Sequence, residues 1–494
     1  MIVPTDAARP GASPRDRLEK VLPWALLLAA GLPRLWALDL RPLHHDEGSN
    51  AIFILRLLNE GVYRYDPSNY HGPLPFYLSA LALALIGTTT FALRIVPAVL
   101  GSLMAPLAWS LRDDLGRPSA AGAALFIAWS PALIYYSRDN IHEIYFVFLT
   151  LGLMAALART TRDVSWIWPL LAGAAAGCLL ATKETAPLTL AAIGCGGLAG
   201  FRSAGAIPRR RLAVIAGVAL IVAAAFYSGG FRHLEDLSGP FRALRPWSAR
   251  ALGGEGHTKP WWYFGDLLAR SEAPVLLLGL CGLALGVRGG GRPDRVLAIW
   301  FGITAVVYST IPYKTPWLAL NLVLPLALLA GRLVGAGVDS TVRVRRIAGV
   351  LALAFAATLS LHDALRLALR HFDDEREPLV YVQTRREALR LVERLEMMAA
   401  MAPEGHDLPI AILSPDYLPL NWYLRRFTKV SYHGHLVDDM TSPVVIGRSD
   451  EADLIGRRLG HEYLRRDYDL RPGVRLALFA RRDLWQDQKS DGAG

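Results

Sequence analysis

Directly after the first long apolar run of the chain stand four residues that could do chemistry together: His44, His45, Asp46 and Glu47. Two carboxylates beside two imidazoles at the edge of a membrane could hold a divalent cation. Equally, one carboxylate could take a proton from an attacking hydroxyl. A solvated, charged helix end would use the same residue types. Downstream come Tyr65-Asp66-Pro67 and Tyr70-His71-Gly72-Pro73, where Gly and Pro mark a tight turn and the aromatics suit an interface. His71 fits a packing role there as readily as a ligand role.

A second constellation is Ser137-Arg138-Asp139-Asn140-Ile141-His142-Glu143. On a helix Asp139 and Glu143, four apart, share a face. So many polar groups between two apolar runs are costly unless they pair or meet water, and a plain interfacial turn is the simpler alternative. Two lone cations complete the set: Lys183, beside Glu184, and Lys314, in Pro312-Tyr313-Lys314-Thr315-Pro316-Trp317. A cation in apolar surroundings suits a phosphate or pyrophosphate at the membrane surface. A snorkelling lysine, or a Lys183–Glu184 pair with no ligand, would look the same in sequence.

These residues must be positioned by apolar segments. Of 494 residues 53% are hydrophobic and 19% charged, with a mean hydropathy of +0.29; a soluble chain carries about 25% charged residues. Candidate spans fall at roughly 21–40, 93–111, 119–136, 144–158, 166–182, 185–200, 212–229, 273–287, 296–311, 317–331 and 347–362. The first lacks a small-residue cleavage site and is expected to stay in place. The brief segment Pro73–Gly87 is expected to lie at the interface or re-enter the membrane. Arg and Lys gather in alternate loops: Arg112 and Arg117, Arg159 and Arg162, Arg209 to Arg211, Arg288 to Arg295, Arg332 to Arg346. By the positive-inside rule the N-terminus (1–20) is cytoplasmic, while loops 41–92 and 230–271 and everything after about 370 are outside. Arg34, the charge deepest in a span, is expected to snorkel outward.

The net charge of +10 does not indicate a nucleic-acid binder, because the basic residues lie between apolar runs and not on one soluble face. Cys178, Cys195 and Cys281 all lie within spans, without disulfide or zinc spacing. A transporter would place charges near the midplane of repeated halves, and no such repeat is evident. Residues 370–487 read as a small α/β domain, with strands at Leu379–Gln383, Ile410–Leu413, Val444–Ile446 and Val474–Leu478. A helix is expected over Arg385–Met401, its apolar face formed by Leu389, Val392 and Leu395. Pro415-Asp416-Tyr417 and Leu420-Asn421-Trp422-Tyr423 could stack on a sugar or simply pack in a core. The tail 488–494 is expected to be disordered.

In combination the motifs resemble the integral-membrane glycosyltransferases that use lipid-phosphate sugar donors, among them the protein O-mannosyltransferases and the aminoarabinose transferases. The resemblance rests on Asp46-Glu47, Gly72–Tyr77, Ala92–Pro97, Ser137–Glu143 and Thr182-Lys183. His-His-Asp-Glu, Tyr-His-Gly-Pro, Thr-Lys-Glu and Tyr-Lys-Thr-Pro-Trp resemble more closely the flippase-activity-associated subfamily. The implied fold is a GT-C-like, all-α polytopic membrane domain (21–366, about eleven transmembrane helices plus interfacial helices) with a small C-terminal α/β extracytoplasmic domain. The implied location is the inner (plasma) membrane, multi-pass.

The implied reaction is inverting transfer of a sugar from a polyprenyl-phosphate donor to a glycan, lipid or protein acceptor. Asp46 would be the base and Glu47 its support. Arg94, Arg138, Lys183, Lys314 and His71 would attend the donor phosphate. Asp139 or Glu143 would be the second acid. A divalent metal (Mg, Mn or Zn) could be held by His45, Glu47 and Glu143. The alternative implied by the subfamily is a component of a polyprenyl-linked glycan flippase without transferase activity, in which Asp46 would be dispensable.

Overall fold

An apolar run offers its backbone no side-chain partners and so bonds to itself as helix. The computed structural model describes residues 14–201, 207–253, 257–438 and 440–485. Within it each of the eleven expected segments is helical. Among the described residues five helices are long and apolar enough to cross a bilayer, or seven if each of two bent pairs counts as one span. The other expected segments are shorter or more polar. Parts of the expected N-terminal tail (1–13) and the expected disordered tail (488–494) lie outside the described residues.

The span expected at 119–136 is broken. Helix Arg117–Trp129 and helix Pro131–Ser137 meet at 53°, because Pro131 has no N–H to offer the Ile127 carbonyl. Arg34 supplies the missing donors, from Nη2 to the Ile127 carbonyl at 3.0 Å and from Nη1 to the Ala128 carbonyl at 2.7 Å. It is fully buried and does not snorkel outward as expected. The orphaned carbonyls at the break give a buried guanidinium a better partner than the interface would.

The outer loop 41–92 is not open chain. It holds helix His45–Glu60 and helix Leu74–Ile86, the latter over the segment expected at the interface. Loop 230–271 likewise carries helix Gly239–Ala251 and helix Tyr263–Ser271.

After helix Arg343–Leu369 the chain builds a five-stranded sheet: β1 (Ile410–Ile412), β2 (Val430–Tyr432), β3 (Val444–Arg448), β4 (Tyr463–Arg471) and β5 (Val474–Arg481). The order is β2-β1-β3-β5-β4, with β1 parallel to both neighbours and β5 antiparallel to β3 and β4. Both faces are covered. Ile410 and Ile412 pack under helix Glu387–Met401, and Ala411 and Leu413 under helix Ala452–Leu459. The buried stripe of helix Glu387–Met401 is Ala388, Leu391, Leu395 and Met398, so Leu389 lies off it.

Leu379–Gln383 is not a strand. Its carbonyls are taken by side chains of the helical part, Tyr136 donating to Leu379 at 2.7 Å and His44 to Tyr381 at 2.8 Å, and the Gln383 side chain donates to the Pro42 carbonyl at 3.0 Å. The segment is a strap across the helices. A second tie is the short helix Leu420–Tyr423. Asn421 Nδ2 donates to the Gly48 carbonyl at 2.8 Å, Trp422 Nε1 to Thr90 Oγ1 at 3.2 Å, and the Leu43 N–H to the Tyr423 hydroxyl at 2.8 Å. Trp422 is fully buried, so this motif is a docking key and not a sugar platform.

Candidate functional site

The N-terminus of helix His45–Glu60 is built by a reciprocal cap. His44 Nδ1 accepts the Asp46 N–H at 3.0 Å, and a Glu47 carboxylate oxygen accepts the His44 N–H at 2.8 Å. With Nδ1 accepting, His44 carries its proton on Nε2 and donates it to the Tyr381 carbonyl at 2.8 Å. The cap turns Glu47 inward and Asp46 outward, toward a cavity of about 790 Å³. The cavity lies between the helical part and the C-terminal domain. His45, His71, Glu143, Lys183, Tyr313 and Tyr381 are among its lining residues.

Below Asp46 lies a closed ionic lattice. Arg94 donates to Glu47 at 2.8 and 2.5 Å, and spends its other N–H groups on the carbonyls of Leu38, Arg41 and Pro42. Both residues are fully buried. Desolvation would raise the Glu47 carboxyl, but the Arg94 and Arg41 guanidiniums overcome it and hold its pKa below the usual range. Arg41, which the sequence did not single out, pairs with Asp139 and lies 4.2 Å over the Tyr135 ring. Burial raises the Asp139 carboxyl against these cations. Asn140 locks its turn to this lattice, giving its N–H to Glu47 at 2.9 Å and its carbonyl to Asn50 Nδ2 at 2.9 Å.

Arg138 does not reach the cavity. It donates to the carbonyls of Pro33, Arg34, Trp36 and Ala37, closing the C-terminal end of the first helix. Arg94 and Arg138, expected at a donor phosphate, therefore serve main-chain carbonyls here. Lys314 is likewise turned away. Its Nζ bonds to the carbonyls of Ile311 and Lys259, while the backbone at Lys314 and Lys259 bridges to His257 and Pro312. It staples the second outer loop, leaving its neighbours Tyr313, Thr315 and Trp317 to line the cavity.

On the cavity wall two pairs stand together. Lys183 pairs with Glu143, both nearly buried, and His71 Nδ1 lies 3.0 Å from a Glu184 oxygen. The His71 ring lies 4.4 Å from that of His142, tilted by 33°. Gly72 makes this contact possible. Its N–H donates to the Thr182 carbonyl at 3.1 Å, and a Cβ there would lie 2.2 Å from the Ala181 oxygen. The Tyr-His-Gly-Pro and Thr-Lys-Glu motifs are thus two halves of one joint.

The proposed metal set does not fit. His45 and Glu143 line the cavity but Glu47 is turned away from it, its oxygens taken by Arg94 and two N–H groups, and Glu143 is taken by Lys183. Among the described residues no group of three or more His, Cys, Asp or Glu side chains is placed to hold a metal ion. Asp46 differs from every other acid of the site. Among the described residues its carboxylate has no hydrogen bond or ion pair, and it stands at a helix N-terminus facing the cavity. Two wall residues that the sequence reading missed, Arg250 and Arg471, come from loop 230–271 and from β4. Their charges stood out in neither segment.

The family model described as dolichyl-phosphate-mannose-protein mannosyltransferase matches residues 70–228, which include His71, Arg94, Arg138, Asp139, Glu143 and Lys183. Two relatives in Pseudomonas fluorescens are undecaprenyl phosphate-alpha-4-amino-4-deoxy-L-arabinose arabinosyl transferases 1 and 2. They are 26% and 27% identical over 272 and 266 residues, or 52% of this chain in each case. The matches span about half the length of these relatives, 48% and 45%. Among solved structures, ArnT from Cupriavidus metallidurans bound to undecaprenyl phosphate superposes with a TM-score of 0.69 at 17% identity, covering 95% of this chain and 99% of that one. Its apo state gives 0.68 at 16% identity, covering 96% and 100%. The chain therefore has the ArnT fold and is related to the mannosyl- and aminoarabinosyl-transferring membrane enzymes, as the motifs implied.

Proposed function

We propose that this chain is an integral-membrane glycosyltransferase that moves a sugar from a polyprenyl-phosphate carrier to an acceptor hydroxyl at the outer face of the inner membrane. The carrier is taken from the relatives, which are named for undecaprenyl phosphate-linked sugar transfer, and from the ArnT structure that holds undecaprenyl phosphate. The helical part lies in the bilayer with the N-terminus inside and the C-terminal domain outside, a reading supported by the distribution of Lys and Arg.

The observation that carries the mechanism is the isolation of Asp46. Glu47, Asp139, Glu143 and Glu184 are each held by a cation or imidazole, and among the described residues only Asp46 offers the cavity an unengaged carboxylate. In the step we propose, Asp46 takes the proton of the acceptor hydroxyl as that oxygen bonds to the anomeric carbon. The bond from that carbon to the phosphate oxygen breaks, and the carrier phosphate leaves with the electron pair. One displacement inverts the configuration. Cationic side chains favour the departing phosphate more than a protonating acid would. The test is transfer of labelled sugar by purified protein in nanodiscs, wild type beside Asp46→Asn. Retention of full transfer by the variant contradicts the proposal.

A further inference from the structure

A carrier phosphate needs a cation that faces the cavity with N–H groups to spare, and of the cations nearby Arg41, Arg94, Arg138 and Lys314 do not line it. Arg94 and Arg138 are spent on carbonyls and Glu47, Arg41 is paired with Asp139, Lys314 is turned onto the main chain, and Lys183 is answered by Glu143. Two guanidiniums remain on the wall: Arg250, which is exposed and donates to the Tyr70 hydroxyl at 3.0 Å, and Arg471.

Arg471 is held unlike any surface arginine. It ends β4 at a register shift after Asp469, opposite Val474 across a turn closed by Gly473 at φ +75°. Such a shift re-aims a side chain out of the sheet pattern. The residue is 7% exposed and still lines the cavity. Nη2 donates to Asp416 Oδ1 at 2.6 Å and Nη1 to the Leu418 carbonyl at 3.0 Å. Two of five N–H groups are thereby used, and three have no partner among the described residues. The loop that holds its guanidinium, Asp416–Pro419, is seated firmly, since Pro419 packs so tightly on Gly48 that a Cβ there would lie 2.6 Å from the Pro419 Cα.

We infer that the C-terminal domain supplies Arg471, oriented by Asp416, as a phosphate-binding residue of the membrane cavity. The ligand is the phosphate group of the polyprenyl carrier, an assignment that rests on the donor proposed above. A buried guanidinium with a free fork of donors matches phosphate oxygens in geometry as well as charge. The catalytic cavity is then shared between the two parts of the chain, and the helical part alone has no complete site.

The test is binding of undecaprenyl phosphate, and separately of inorganic phosphate, to the full chain in nanodiscs, with unfolding temperatures recorded beside it. Arg471→Gln is expected to weaken undecaprenyl phosphate binding roughly ten- to hundredfold with the unfolding temperature kept. Asp416→Asn is expected to weaken it less. Equal binding by wild type and Arg471→Gln overturns the inference and leaves the donor proposal standing. If Arg471→Gln does not fold, Arg471→Lys decides: weaker binding supports the inference, and wild-type binding overturns it. If wild type binds inorganic phosphate through Arg471 but not the lipid, the phosphate site stands and the carrier proposal falls. If wild type binds neither, both fall.

Discussion

Arg94 grips Glu47 with two hydrogen bonds, 2.8 and 2.5 Å long, directly beneath the helix turn that presents Asp46. The pair is sealed from solvent and does not line the cavity, yet it fixes the orientation of the residue that does the proposed chemistry. The acidic doublet Asp46-Glu47 is therefore a division of labour, one carboxylate anchoring and the other facing the cavity.

Removing the anchor should cost stability before it costs chemistry. Glu47→Gln leaves the Arg94 guanidinium buried with its counter-charge gone, an expected loss of about 3–5 kcal/mol. Thermal unfolding in detergent checks this. A midpoint equal to that of wild type would show that Asp139, 3.8 Å from Arg94, suffices as counter-ion.

Lys183 and Glu143 call for a paired experiment. Lys183→Met alone strands a buried carboxylate and should destabilise by several kcal/mol, while adding Glu143→Gln should restore much of it. If Lys183 also meets the donor phosphate on binding, the stable double variant will still show a raised KM for donor. An unchanged donor KM would make the pair purely structural.

The Gly72 joint should tolerate no side chain. Gly72→Ala drives a Cβ to within 2.2 Å of the Ala181 oxygen, so the Tyr70–Pro73 turn must lift from residues 181–184. That separates His71 from Glu184 and should lower both stability and transfer. Wild-type values of both would contradict so tight a fit of Gly72 against Ala181.

His45 gives a pH signature. Burial pushes its imidazole down to about 4 from the ordinary 6.5, with Asp46 opposing the shift. Above pH 6.5 the ring is neutral folded or unfolded and contributes no pH dependence. Between about 6.5 and 4 the unfolded chain binds the proton and the folded chain does not, so stability falls as pH falls through that window. His45→Gln should flatten this part of the unfolding curve. An equal slope in both proteins would assign it elsewhere.

Much of this was legible in the sequence. Apolar length marked the eleven expected helical segments, though not the helices of the outer loops, and clustered polar residues marked Asp46, His71, Glu143 and Lys183, which do line one cavity. What a linear reading cannot supply is who satisfies whom. Arg94 and Arg138 read as phosphate ligands by family resemblance and Lys314 by its apolar surroundings, but unpaired carbonyls at helix ends and loop turns claimed them first. Arg41 and Arg471 matter through residues about a hundred and more than four hundred positions away, Asp139 and the cavity edge at Asp46. Leu379–Gln383 has strand composition, yet side chains from the helical part take its hydrogen bonds and keep it out of the sheet.

The central claim is that Asp46 is the proton acceptor in sugar transfer. Its most direct test is single-turnover transfer of radiolabelled sugar from a panel of polyprenyl-phosphate sugars, in nanodiscs, comparing wild type with Asp46→Asn after both are shown to bind undecaprenyl phosphate. The account predicts retained lipid binding with transfer slowed on the order of 10²–10⁴-fold in the variant. Transfer at the wild-type rate by Asp46→Asn, with binding intact, would contradict it.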